Sequence, residues 1–106
     1  MLLAALPLLS SATPPPATLC RVQAFSTPNP DGLGRTLTIT TVPGCPPGGY
    51  ARVRLASRLG GSLPDNPPGA YTIRPGAPLT RVSWPWWWPE WLSASGTPYR
   101  IPEVRP

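Results

Sequence analysis

The fold turns on residues 35–57: Arg35–Val42 (RTLTITTV), Pro43–Gly49 (PGCPPGG) and Tyr50–Ser57 (YARVRLAS). In 35–42, threonines alternate with Leu37 and Ile39. In 50–57, Ala51, Val53 and Leu55 fall on one side, Arg52 and Arg54 on the other. A period of two, carried by β-branched residues, marks a half-buried strand. The connecting seven residues hold three prolines and three glycines, and they can continue neither a helix nor a ladder. The stretch therefore reads as an antiparallel hairpin with one apolar face and one face of Thr and Arg.

Working outward, Leu19–Phe25 (LCRVQAF) reads as another strand, and Ser26–Gly34 (STPNPDGLG) as a turn-rich connection. Arg58–Ala70 is loop, and two short strands, Tyr71–Arg74 and Leu79–Trp84, flank a Pro75-Gly76 turn. Beyond Trp84, prolines at 85, 89, 98, 102 and 106 leave room for one helical turn at Pro89–Ser93 in an otherwise extended tail. The expected organisation is mostly β: a small antiparallel sheet or sandwich-like domain over 19–84. It is flanked by an apolar, Pro-rich segment 1–18 and a Trp/Pro-rich arm 85–106.

Composition agrees with a domain of modest core. Of 106 residues, 19 are proline and 10 glycine, while Leu, Ile, Val and Phe together number 22. Such a chain supports one small domain and excludes a helical bundle, a coiled coil or a large α/β enzyme. It has neither His nor Lys, which removes imidazole catalysis, Schiff-base lysine and His-ligated zinc. Asp31, Asp65, Glu90 and Glu103 are far apart, so no carboxylate pair is evident, and no cofactor or metal is expected. All nine cations are arginine, giving a net charge of +5. They are scattered, without the run that tracks a phosphate backbone, and nucleic acid is not an expected partner.

The first 18 residues, MLLAALPLLSSATPPPAT, admit two readings. The run Leu2–Leu9 followed by small residues suits a cleaved secretory leader. A single Met before the run and Pro7 inside it suit a retained apolar arm that docks on a neighbour. Eight apolar residues are too few to cross about 30 Å of hydrocarbon.

Two features carry the functional expectations. Cys20 and Cys45, 25 positions apart, are expected to form one disulfide; two free buried thiols are the alternative. All five tryptophans lie within Trp84–Trp91 (WPWWWPEW). They can fold back to complete the core, fill pockets on a partner, or contact lipid or sugar. Over these eight residues the chain resembles the Trp/Pro-rich antimicrobial peptides of the indolicidin type. That resemblance implies contact with a membrane surface. Here Glu90 lies inside the cluster, and the nearest arginines are Arg81 and Arg100. Strand alternation puts Trp84, Trp86 and Trp88 on one face and Trp87 on the other. Trp84 closes its strand and so belongs with Trp87 to the domain. Pro89 is expected to break the alternation, which leaves the side of Trp91 open. Trp86, Trp88 and Trp91, with Tyr99 and Ile101 farther along, form the expected partner-binding set.

The functional expectation is a non-enzymatic structural protein within a homo- or hetero-oligomeric assembly. Its most specific form is a minor bacteriophage virion subunit: cement, decoration or connector. The competing expectation is a secreted or cell-envelope protein with a Trp-rich surface for lipid or glycan.

Overall fold

The structure, a computed structural model, describes residues 17–60, 63, 66–68, 70–83 and 85–105. The expectations for Trp84 and for residues 1–16 lie outside the described residues. The strands are β1 (Val22–Pro28), β2 (Arg35–Thr41), β3 (Ala51–Ser57), β4 (Tyr71–Ile73), β5 (Leu79–Ser83), β6 (Trp87–Leu92), β7 (Pro98–Arg100) and β8 (Glu103–Val104). They form two four-stranded sheets, ordered β5-β2-β1-β8 and β4-β3-β6-β7. Every pairing is antiparallel except β1 with β8.

The mostly-β expectation holds, and no helix occurs among the described residues. The hairpin expected over 35–57 does not form. β2 pairs with β1 and β5, whereas β3 pairs with β4 and β6 in the other sheet. Alternation alone does not separate these outcomes, because a strand with one apolar face can meet a partner edge to edge or across a core. The proline-rich connection decides: it carries the chain from one sheet to the other. Leu37 and Ile39 then bury from one side, and Ala51, Val53 and Leu55 from the other, in one shared cluster. Burying the larger aliphatic side chains stabilises by roughly 1.5–3 kcal/mol each.

Residues 85–106, expected as an extended arm, supply β6, β7 and β8 and complete both sheets. Pro89–Ser93, expected as one helical turn, lies largely within β6. Proline is tolerated in this central strand because Leu55 and Pro89 face each other without exchanging ladder hydrogen bonds. The Pro89 carbonyl accepts from the Ile101 N–H at 3.0 Å, on the side away from β3. In a strand, N–H and C=O of one residue point the same way. The donor that proline lacks would therefore also have pointed away from β3, where β7 has already ended. Leu55 likewise turns its polar groups away from β6. Its N–H donates to Asn66 Oδ1 at 3.1 Å, and its carbonyl accepts from the Leu63 N–H at 2.9 Å and Asn66 Nδ2 at 2.9 Å. β4 pairs no further along β3 than Val53, so the Asn66 side chain continues the ladder where the strand stops.

Pro28 and Pro98 sit at strand ends, where a missing N–H breaks no interior ladder. The β6–β7 connection is Ser93–Thr97, with the Ser93 N–H donating to the Thr97 carbonyl at 3.0 Å and Gly96 in the left-handed region at φ 86°. This has the form of a short hairpin turn closed by a glycine bulge.

Cys20 and Cys45 are joined, with Cα atoms 5.7 Å apart. The bond ties the approach to β1 to the β2–β3 crossing. Gly49 packs against it so closely that a Cβ there would meet Cys45 Sγ at 2.5 Å and Cys20 Sγ at 2.8 Å.

In connectivity, β5-β2-β1 with β4-β3-β6-β7 follows immunoglobulin-like sandwiches whose extra strand belongs to the second sheet; β8 is an addition. The disulfide does not span the two sheets from β2 to β6, as it does in antibody domains. Shared connectivity implies no shared function.

Candidate interaction surface

Strand alternation along β6 divides the tryptophan cluster. Trp87 and Trp91 point into the core with Pro89, while Trp88 and Glu90 point outward. Trp91 is held on several sides. Its indole N–H donates to the Cys20 carbonyl at 2.8 Å, Arg21 lies 4.4 Å over its ring, and Tyr99 sits 6.0 Å away, centroid to centroid. The core reading of the cluster therefore holds for Trp87 and Trp91. Each indole brings roughly 150–250 Å² of buried surface to a domain poor in aliphatic residues.

The outward residues are ordered by register. β3, β6 and β7 place Arg54, Glu90 and Arg100 in one row across the sheet. Glu90 accepts from Arg54 Nε through Oε1 at 2.8 Å and from the Trp88 indole through Oε2 at 3.3 Å. The Arg100 guanidinium lies 4.6 Å from the Trp88 ring centre, so the indole is fixed between a carboxylate at its edge and a cation on its face. Trp86 precedes the strand and is 48 % exposed; its carbonyl accepts from the Arg58 N–H at 2.8 Å, which sets Arg58 beside it.

Three open depressions meet at Trp88 and Arg100. One adds Arg58 and Pro85, a second adds Pro102, Glu103 and Arg105, and a third adds Arg35 and Ser83. Arg105 is paired with Glu103 at 3.3 Å, and Arg35 binds the Ser26 hydroxyl and carbonyl at 2.7 and 2.8 Å.

Of the residues expected to bind a partner, Trp86, Trp88 and Tyr99 offer surface. Trp91 and Ile101 are 9 % and 4 % exposed and belong to the core. Trp91 keeps to the core because β6 continues its alternation through Pro89 rather than breaking there. Ile101 turns inward once β7 ends, with its N–H committed to Pro89. The arginines around Trp88 are absent from the expected partner-binding set. A signal for them exists in SASGT: centring a hairpin on Ser95 places Glu90 opposite Arg100 and Trp91 opposite Tyr99. No protein-family profile matches the chain, and no curated protein or solved structure is significantly similar to it.

Proposed function

We propose that this chain is a non-enzymatic structural protein that works inside a larger assembly. Within that class, the reading carried from composition is a minor bacteriophage virion subunit of the cement, decoration or connector type. The observation that carries the proposal is the outward half of the tryptophan cluster. Trp87 and Trp91 join the core, yet Trp86 is 48 % exposed and Trp88 is half-buried on the outer face beside Arg100, with Tyr99 also 51 % exposed. Tryptophan, tyrosine and arginine are the residues that most often anchor protein interfaces. Exposed indoles otherwise work against solubility.

The second reading, an exported cell-envelope protein contacting lipid or glycan, draws on the disulfide. Such bonds persist in oxidising surroundings, and virion surfaces and cell exteriors both qualify. The test pairs two measurements on Trp86→Ala and Trp88→Ala: thermal unfolding of the free chain, and its content in particles purified from the source. The proposal expects unchanged unfolding together with a loss of about 2 kcal/mol or more in association. Unchanged particle content, or a chain recovered in the envelope fraction with its N-terminus between residues 12 and 20, overturns it.

A further inference from the structure

We infer that the surface around Trp88 is a docking site for an acidic peptide segment of a protein partner, a carboxylate being received between Arg58 and Arg100. This rests on the assembly reading above and names the chemistry of the contact. Both arginines line one open depression, floored by Pro85 and Trp88. Neither is paired with a carboxylate among the described residues: Glu90 is engaged by Arg54, and Glu103 by Arg105. The two cations differ in how they are held. Arg100 lies on the Trp88 ring, which limits the freedom it loses on binding, while Arg58 is anchored only through its backbone beside Trp86. A planar guanidinium grips a carboxylate through two parallel hydrogen bonds, so this pair suits an oxyanion entering from solvent. The exposed Trp86 indole and Pro85 offer apolar surface next to it for a flanking side chain.

The surrounding charges select the ligand class. Both glutamates border Trp88: Glu90 accepts from its indole, and Glu103 lines a depression that shares Trp88 and Arg100 with this one. A nucleic-acid backbone carries charge at every step and would bring phosphates against those carboxylates. An anionic membrane would bury them at its headgroups. A peptide carries its carboxylates on flexible side chains, so it can place one between the arginines and turn the others to solvent, away from the two glutamates. The net charge of +5 assists the approach of an acidic partner.

The experiment titrates the intact chain with hexaglutamate, following tryptophan emission, with an oligothymidylate of equal charge and phosphatidylglycerol vesicles as parallel arms. Saturable binding of hexaglutamate, weakened by salt, is expected. Arg58→Gln and Arg100→Gln should each weaken it about tenfold, the loss expected for one charge-assisted pair. Arg74→Gln, in the β4–β5 turn, should leave it unchanged. Thermal unfolding of each variant checks the fold; Arg58→Gln removes no side-chain hydrogen bond or ion pair among the described residues and keeps the test valid if Arg100→Gln disturbs Trp88. Absence of hexaglutamate binding, binding indifferent to both substitutions, or tighter binding of the oligothymidylate or vesicles overturns the inference. Particle content separates this from failure of the assembly reading. If hexaglutamate fails to bind while Trp86→Ala and Trp88→Ala strip the chain from particles, the acidic-peptide assignment alone falls. If hexaglutamate binds through the two arginines while particle content ignores the tryptophans, the acidic site stands and the assembly reading falls.

Discussion

Gly49 offers the sharpest test of how the domain is held together. A Cβ at this position would lie 2.5 Å from Cys45 Sγ, 2.8 Å from Cys20 Sγ and 3.0 Å from the Pro46 carbonyl oxygen. None of these is the free end of a flexible side chain. The sulfurs are bonded to each other, and the Pro46 carbonyl already accepts from the Gly49 N–H at 2.7 Å. Gly49→Ala must therefore shift the disulfide or the loop, and overpacking of this kind costs about 1–3 kcal/mol. Replacing both cysteines by alanine costs more on its own. Opening a loop of 25 residues releases unfolded-state entropy worth about 3.5 kcal/mol, or roughly 15–25 °C in Tm for a domain of this size. That replacement also removes both sulfurs that the new methyl would strike, so Gly49→Ala in the cysteine-free background should cost less than about 1 kcal/mol. The four proteins form a double-mutant cycle with a coupling of about 2 kcal/mol. Urea unfolding monitored by circular dichroism measures it, with one concentration of trimethylamine N-oxide throughout to keep the cysteine-free pair folded. An equal cost of Gly49→Ala in both backgrounds would refute the sulfur contact as its cause.

Three further outcomes follow from contacts described above. Trp91→Phe keeps an aromatic ring but strands the Cys20 carbonyl, and should destabilise by about 1–3 kcal/mol in urea unfolding; a cost below about 0.5 kcal/mol would remove that hydrogen bond from the argument. Asn66→Ala takes away the acceptor of the Leu55 N–H, so amide exchange at Leu55 should speed up while that at Val53, covered by β4, stays slow; unchanged exchange at Leu55 contradicts the ladder-extension role. The Arg54–Glu90 pair, whose side chains are 35 % and 15 % exposed, should show a coupling below about 1 kcal/mol in an Arg54→Met, Glu90→Gln cycle and shrink with salt; a larger, salt-insensitive coupling would mean the row is functionally dry.

Local chemistry was legible in the residues, and partnership between segments was not. Leu37, Ile39, Val53 and Leu55 announced their burial by alternation, and their strands formed where expected. Which strand would lie beside which was hidden, since 35–42 and 50–57 bury the same faces in a hairpin or in a sandwich. Prolines misled more seriously. Pro89 reads as a strand breaker because its sequence neighbours do not reveal that Leu55 faces it without a ladder hydrogen bond. Without that pairing the segment 85–106 looks like an arm, and the partner-facing role given to Trp91 and Ile101 follows from the same misreading. The disulfide was readable from two cysteines alone. In the Arg54–Glu90–Arg100 row only the Glu90–Arg100 step was marked, by the SASGT turn; Arg54 joins from β3 and is placed only once the β3–β6 register is set.

The neighbourhood of β1 and β8 has a consequence for how the molecule comes into being. Ala24 and Phe25 pair with Glu103 and Val104, so β1 stays open on one side until those residues, nearly 80 positions later, are available. The facing sheet waits too, since β3 gains its longer partner only with residues 87–92, which also bring Trp87 and Trp91 to the core. On a ribosome, the β1–β2 hairpin can close early, but it presents Leu37 and Ile39 to water while the covering strands are still being made. Contacts of such long sequence separation slow refolding into the millisecond-to-second range, typical of sandwiches. During that interval the unpaired strand edges are open to other chains. The exposure thus begins during synthesis and lasts until Glu103 and Val104 have emerged and paired with β1.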